Sequence, residues 1–140
     1  MKLKDRVAIV TGGGKGIGQE ICLGLVKEGA KIVIAEIDIE NSEKAKKKII
    51  EAGSEAIIIK TDVSNQKSIN EMVDQTIKHY GKIDILINNA GIRHVKKLLD
   101  HTKQDWDDMI SVNLTAPFLA SQAVIPVSYT HLRAHETSRY

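Results

Sequence analysis

The chain has 140 residues, enough for one domain, and its 42% hydrophobic and 27% charged residues are the balance of an ordinary globular protein. A formal net charge of +2, with lysines spread along the chain, excludes the basic footprint of a nucleic-acid-binding domain. A single cysteine, Cys22, excludes an intrachain disulfide; no apolar run looks long enough for a membrane and the N-terminus turns into a strand too soon for a signal peptide, so a cytoplasmic setting is expected.

Residues 6–11 hold four consecutive apolar residues and end at glycines, the pattern of a strand buried on both faces. Residues 16–28 carry apolar side chains at helical spacing (Ile17, Ile21, Leu25; Cys22, Val26), with Gly29 as C-cap, which makes Cys22 a small buried hydrophobe. A second strand follows at 31–36. Residues 41–52 form a lysine-rich amphipathic helix whose run from Lys44 to Lys48 is its wet face. A third strand spans 56–60. Ser64 is expected to cap a helix with core positions Ile69, Met72, Val73, Ile77 and Tyr80, ended by Gly81. A fourth strand covers 83–88. Thr102 and Asp105 have the spacing of a capping box, and the long helix after them uses Trp106, Met109, Ile110, Leu114, Phe118 and Leu119 as its apolar positions. Four alternations of strand and helix predict an α/β, Rossmann-type doubly wound parallel sheet.

The chemistry sits at the strand ends. Thr11-Gly12-Gly13-Gly14-Lys15-Gly16-Ile17-Gly18 lies between the first strand and first helix. Glycines there let backbone amides approach a pyrophosphate, and the helix N-terminus adds partial positive charge. Candidate cofactor contacts are Thr11, Gly12, Gly14, Lys15, Gly16, Ile17 and Gly18. Lys15 is followed by glycine rather than Ser or Thr, so the loop is not a Walker A sequence. Glu36 ends the second strand at the distance expected of a ribose-binding acid. A carboxylate there accepts from both ribose hydroxyls and repels a 2′-phosphate, which favours NAD over NADP; Lys15 argues the other way. Asp38 reads as a plain surface acid. Asp62 and Val63, then Asn88, Asn89, Ala90 and Gly91, follow the third and fourth strands. Asp62 is suited to an adenine amino group, and the small Ala90-Gly91 pair lets backbone pass close to a sugar. No metal site is expected.

These motifs, with Ser111-Val112-Asn113-Leu114, resemble in order and spacing those of the classical short-chain dehydrogenase/reductase family, over roughly residues 3–126. The resemblance implies an NAD(P)-dependent oxidoreductase acting on an alcohol or ketone, a sheet order of 3-2-1-4, and a homodimeric or homotetrameric parent. It implies that Asn88 steadies the central sheet. It also implies that Asn113 belongs to a catalytic tetrad in which its backbone holds a water of the proton relay. The segments around Ala90–Val95 and Leu114–Phe118 resemble sugar-acid and polyol dehydrogenases and also fit 3-oxoacyl-carrier-protein reductases. Arg93 and His94 could meet an acidic substrate, but solvent-exposed loop residues are an equal reading.

The family's serine and Tyr-x-x-x-Lys are not found in the 140 residues. Tyr129 and Arg133, with Ser128 before them, imitate the motif, but they follow the long helix with no fifth strand, and Arg cannot shuttle a proton as Lys can. Residues 127–137 resemble translated read-through of a sequencing adapter. The expectation is therefore an incomplete cofactor-binding domain at 1–126, inactive as written, and a non-native tail at 127–140. The alternative is a non-catalytic dinucleotide-binding module.

Overall fold

A computed structural model of the chain describes residues 1–130. Four parallel strands, β1 (Val7–Thr11), β2 (Lys31–Glu36), β3 (Ala56–Lys60) and β4 (Ile85–Ile87), lie in the order β3-β2-β1-β4, the expected arrangement. Thr11 stands beside Ala35, Val10 beside Ile87, and Glu36 beside Lys60, so the strands' C-terminal ends share one edge.

Alternate strand residues face opposite sides of the sheet, and both sides are apolar. Ala8, Val10, Ile32 and Ile34 pack on Cys22 and Val26 of α1 (Gly16–Lys27) and on Ala45 and Ile49 of α2 (Ile39–Glu51). Val7, Ile9, Val33 and Ile59 pack on Ile69, Met72 and Val73 of α3 (Gln66–Tyr80) and on Ala120 and Val124 of α5 (Ala116–Thr130). The sheet is thus the middle of three layers, and continuous apolar strands are what that position requires.

Several local expectations give way to side-chain chemistry. Helix α2 starts two residues early because Asp38 is its N-cap, accepting from the Asn41 amide at 3.1 Å; Asp38 is not a plain surface acid. Asn65, not Ser64, caps α3, accepting from the Ser68 amide at 3.1 Å. Ser64 is committed to Asp62, donating to its Oδ1 from the amide at 3.0 Å and from the hydroxyl at 2.6 Å. Strand β4 is shorter than expected. Just ahead of it the Asp84 carboxylate accepts from the Val7 amide at 2.9 Å and ties the two strand entrances together. Ile17 is 75% exposed and outside the core, whose stripe on α1 is Gly18, Cys22 and Val26.

The largest departure is beyond Thr102. The capping box is present: Thr102 Oγ1 accepts from the Asp105 amide and Asp105 Oδ2 from the Thr102 amide, each at 3.0 Å. Helix α4 (Lys103–Ile110) then passes into a π-helical turn, Ser111–Thr115, before α5. The buried apolar positions are Ala116, Ala120 and Val124, with Met109, Ile110 and Leu119 half-buried, while Trp106 (59%), Leu114 (65%) and Phe118 (63%) stand out in solvent. Helix α5 contains Pro126 and runs on through residues 127–130, past the expected boundary, and Ser128 donates to the Ile83 carbonyl at 3.0 Å. The rest of the adapter-like segment, residues 131–137, lies outside the described residues.

The same stretch corrects the expectation about membrane-length runs. Lys103–Ser128 is long enough and, at a mean hydropathy of 1.4 over its most apolar window, apolar enough to cross a membrane by length and composition. Interspersed polar residues such as Ser111, Asn113 and Gln122 hide this from a search for consecutive apolar residues. In the fold, one side of α5 packs against the sheet and α3.

Candidate functional site

The glycine turn leaves the C-terminal end of β1 and is closed by close backbone contact. Gly12 has φ +65°, and a Cβ there would lie 3.0 Å from the Ala90 Cα. A Cβ on Gly18 would collide with the Gly12 carbonyl and come within 2.6 Å of Asn89 Nδ2. Thr11 fastens this turn to the loop after β4. Its hydroxyl donates to the Ile87 carbonyl at 3.3 Å and accepts from the amides of Asn89 and Ala90, each at 3.0 Å. Asn89 returns the tie, donating from Nδ2 to the Gly12 carbonyl at 3.1 Å. Asn88, which the resemblance assigned to steadying the sheet, donates to Ser121 Oγ of α5 at 3.3 Å, and the tie to the glycine turn is made by Asn89. Helices α2, α3 and α4 each start under a side-chain cap, whereas α1 starts at Lys15 without one. Its first-turn amides, with the positive end of the helix dipole, therefore suit an anion.

Glu36 ends β2 beside the turn. It is 8% exposed, and burial pushes its carboxyl pKa up, against the pull of the Lys15 charge. The Asp38 charge adds to the rise, and a hydrogen bond from the Asp38 backbone offsets part of it. Gly14 packs directly on this residue: a Cβ there would lie 3.0 Å from Glu36 Cγ and 2.7 Å from Ser42 Oγ. Lys15 Nζ is 3.6 Å from Asp38 Oδ2. Hydrogen bonds from Asn41, helped by Lys15, hold the Asp38 carboxyl below its ordinary value.

A cleft of about 320 Å³ opens along this edge. Of the sequence candidates it brings together Gly12, Lys15, Glu36, Asp62, Val63, Asn89, Ala90 and Gly91. Thr11, Gly14 and Gly18 support the walls from behind, while Gly16 and Ile17 lie exposed at the start of α1. Asn113 stands across the loop, its Oδ1 accepting from the Ile92 amide at 2.8 Å and its Nδ2 donating to the Ile92 carbonyl at 2.7 Å. It sits in the π turn, a distortion frequent at functional positions. Ala35, Ile37, Thr61, Ile92 and Val112 also line the cleft and were not anticipated. Ile37 carried a signal, an isoleucine directly after the strand-ending acid; Val112 carried another as the neighbour of Asn113. Farther along the loop, Asp105 binds Lys96 Nζ at 2.7 Å and lies 4.0 Å from His94 Nε2, so His94 turns to α4 while Arg93 is exposed.

An uncapped helix N-terminus under a turn with no room for a side chain at Gly12, Gly14 or Gly18, next to a buried carboxylate on the C-terminal edge of a parallel sheet, defines a dinucleotide-binding α/β domain. The chain belongs to the short-chain dehydrogenase family, whose sequence model matches residues 6–133; its members are NAD(P)-dependent oxidoreductases. The chain is 40% identical over 120 residues to an uncharacterized oxidoreductase of Thermotoga maritima, covering 86% of this chain and 47% of that one. It is 40% identical over 122 residues to 5-keto-D-gluconate 5-reductase of Escherichia coli K12, covering 87% and 48%. An NAD+-bound xylitol dehydrogenase crystal structure superposes with a TM-score of 0.88 at 32% identity, covering 93% of this chain and 50% of that one. The chain thus spans about half the length of the curated relatives it matches.

Proposed function

We propose that this chain is the cofactor-binding half of an oxidoreductase that uses NAD in preference to NADP and interconverts an alcohol and a ketone. The observation that carries the preference is the buried Glu36 carboxylate on the cleft wall beside the glycine turn. The backbone of Gly12–Gly18 and the start of α1 would hold the pyrophosphate. Glu36 would accept from the adenosine ribose hydroxyls, Asp62 and Val63 would border the adenine, and Asn89, Ala90 and Gly91 would pass behind the next sugar. Bound NAD supplies the hydride acceptor or donor. Asn113 is assigned the relay water through its backbone. Similarity to a keto-gluconate reductase and a xylitol dehydrogenase supports a sugar acid or polyol substrate; a 3-oxoacyl thioester is the competing class. The parent is assigned a homodimeric or homotetrameric state, supported by the exposed apolar face of Trp106, Leu114 and Phe118.

The 140 residues contain no Tyr-x-x-x-Lys, so this chain is expected to bind cofactor without turnover. Titration calorimetry with NAD+ and NADP+ tests the site: tighter NAD+ binding supports it, and no binding by folded chain removes it. Sequencing the source gene past the Pro126 codon tests the parent. A frame continuing into a serine and a Tyr-x-x-x-Lys identifies the enzyme. A gene that encodes 127–140 and then stops identifies a non-catalytic binding module.

A further inference from the structure

Lys15 and Glu36 line one cleft with opposite demands on a 2′-phosphate: the ammonium attracts it and the carboxylate repels it. The structure adds a third charge. Asp38 Oδ2 lies 3.6 Å from Lys15 Nζ, and Asp38 is fixed where it stands. Its Oδ1 accepts from the Asn41 amide at 3.1 Å and its Oδ2 from Asn41 Nδ2 at 2.6 Å, because it caps α2. Glu36 is likewise fixed, at the end of β2 and against Gly14. The two carboxylates are therefore set by the backbone, while the cation rides on a long, mostly exposed side chain.

We propose that Asp38 decides between the two nicotinamide dinucleotides in this chain, by holding the Lys15 ammonium that would otherwise receive a 2′-phosphate. The inference rests on the reading of the cleft as a dinucleotide site. A phosphate monoester carries about −1.5 to −2 charges at neutral pH. It would meet two carboxylates and one ammonium; without the Asp38 charge it would meet one of each. Glu36 alone leaves the Lys15 charge available, and Asp38 takes it up. Because the pair is exposed, it is weak and salt-sensitive, so the discrimination it adds is modest.

Asp38→Asn removes the charge and keeps the cap, since asparagine caps a helix as well as aspartate and still accepts from the Asn41 backbone amide; the Asn41 side chain has to turn its amide to accept where it now donates. The experiment is calorimetric titration of the 140-residue chain and of D38N, K15M and D38N/K15M with NAD+ and with NADP+, after circular dichroism has shown each to be folded. D38N is expected to raise NADP+ affinity about two- to fivefold, the scale of one exposed ion pair. NAD+ affinity should move far less, and the gain should vanish in D38N/K15M and shrink in 0.5 M salt (about a 4 Å screening length). If NAD+ binds but D38N leaves the NADP+ to NAD+ ratio unchanged, or the gain survives loss of Lys15, this inference fails alone. If folded wild-type chain binds neither dinucleotide, the site reading fails and takes the inference with it.

Discussion

Asn113 gives both ends of its side-chain amide to one residue, accepting from the Ile92 amide at 2.8 Å and donating to the Ile92 carbonyl at 2.7 Å. The pair locks the loop after β4 to the π turn. Asn113→Ala loses both bonds and Asn113→Asp loses the donor while setting a carboxylate against the Ile92 carbonyl. Each is expected to cost about 1–2 kcal/mol, the net value of two partly exposed hydrogen bonds. Urea unfolding reads the loss. Amide exchange should show Ile92 losing protection selectively; uniform loss across the sheet would contradict a local lock.

Glu36 gives a pH dependence with a definite sign. Its folded pKa is raised, so it stays protonated at pH values where an exposed carboxylate has ionised. A protonated Glu36 can accept from the ribose hydroxyls less well. NAD+ affinity is therefore expected to fall with acid starting at a higher pH than an ordinary carboxylate would dictate. Since the native state binds this proton more tightly than the unfolded chain, ionising Glu36 opposes folding: its contribution to stability falls as pH rises from the ordinary carboxylate range through the raised value. Dissociation constants measured from pH 4 to 8 should slope in wild type and flatten in Glu36→Gln.

Asp105 behaves oppositely. Hydrogen bonds from Lys96 and from the Thr102 amide bring its carboxyl down to about 2. Its stabilisation is complete above the unfolded carboxylate value of about 4 and is lost as pH falls toward the folded one. Wild type should lose stability against Asp105→Asn across that window, and the two curves should run parallel above it. Thr102→Ala, removing the cap's acceptor, should cost about 1 kcal/mol in urea unfolding at neutral pH, with recovery in Thr102→Asn.

Cys22 is fully buried behind the glycine turn, its Sγ 3.8 Å from the Gly13 carbonyl, and burial pushes its thiol up to about 12. Native chain is expected to resist a disulfide reagent at pH 8 and to react fully in denaturant. Rapid labelling without denaturant would mean that α1 opens readily from the sheet.

The sheet was legible in the sequence because strands buried on both faces must be apolar throughout, and the runs ending at Thr11, Glu36 and Lys60 show it. The cofactor edge was legible because glycine and acid spacings report backbone geometry directly. Caps were less so: Asp38 and Asn65 compete with neighbours of similar chemistry, and only the hydrogen bonds decide between Asn65 and Ser64. Lys15 was seen as a cation whose partner the sequence could not name, since Asp38 is 23 positions away along the chain. The inward side of α4 and α5 was not legible, because apolar residues occupy both sides: Ala116, Ala120 and Val124 are buried while Trp106, Leu114 and Phe118 are exposed.

The π turn at Ser111–Thr115 takes up one residue more than an α turn would over the same stretch. Each residue of a regular helix is worth about 100° of rotation, so α4 and α5 keep their faces toward their partners only because the surplus residue is absorbed as a bulge. Asn113 rides on that bulge, which is what lets a helical residue reach Ile92 with both ends of its amide. Deleting one residue of Ser111–Thr115 is expected to give a regular helix that keeps the Asp105–Lys96 pair and the Ala120 and Val124 contacts while losing the grip on Ile92. The same deletion made inside α5 would turn its buried stripe away from the core, so the chain should tolerate a length change at the bulge and nowhere else along this rod.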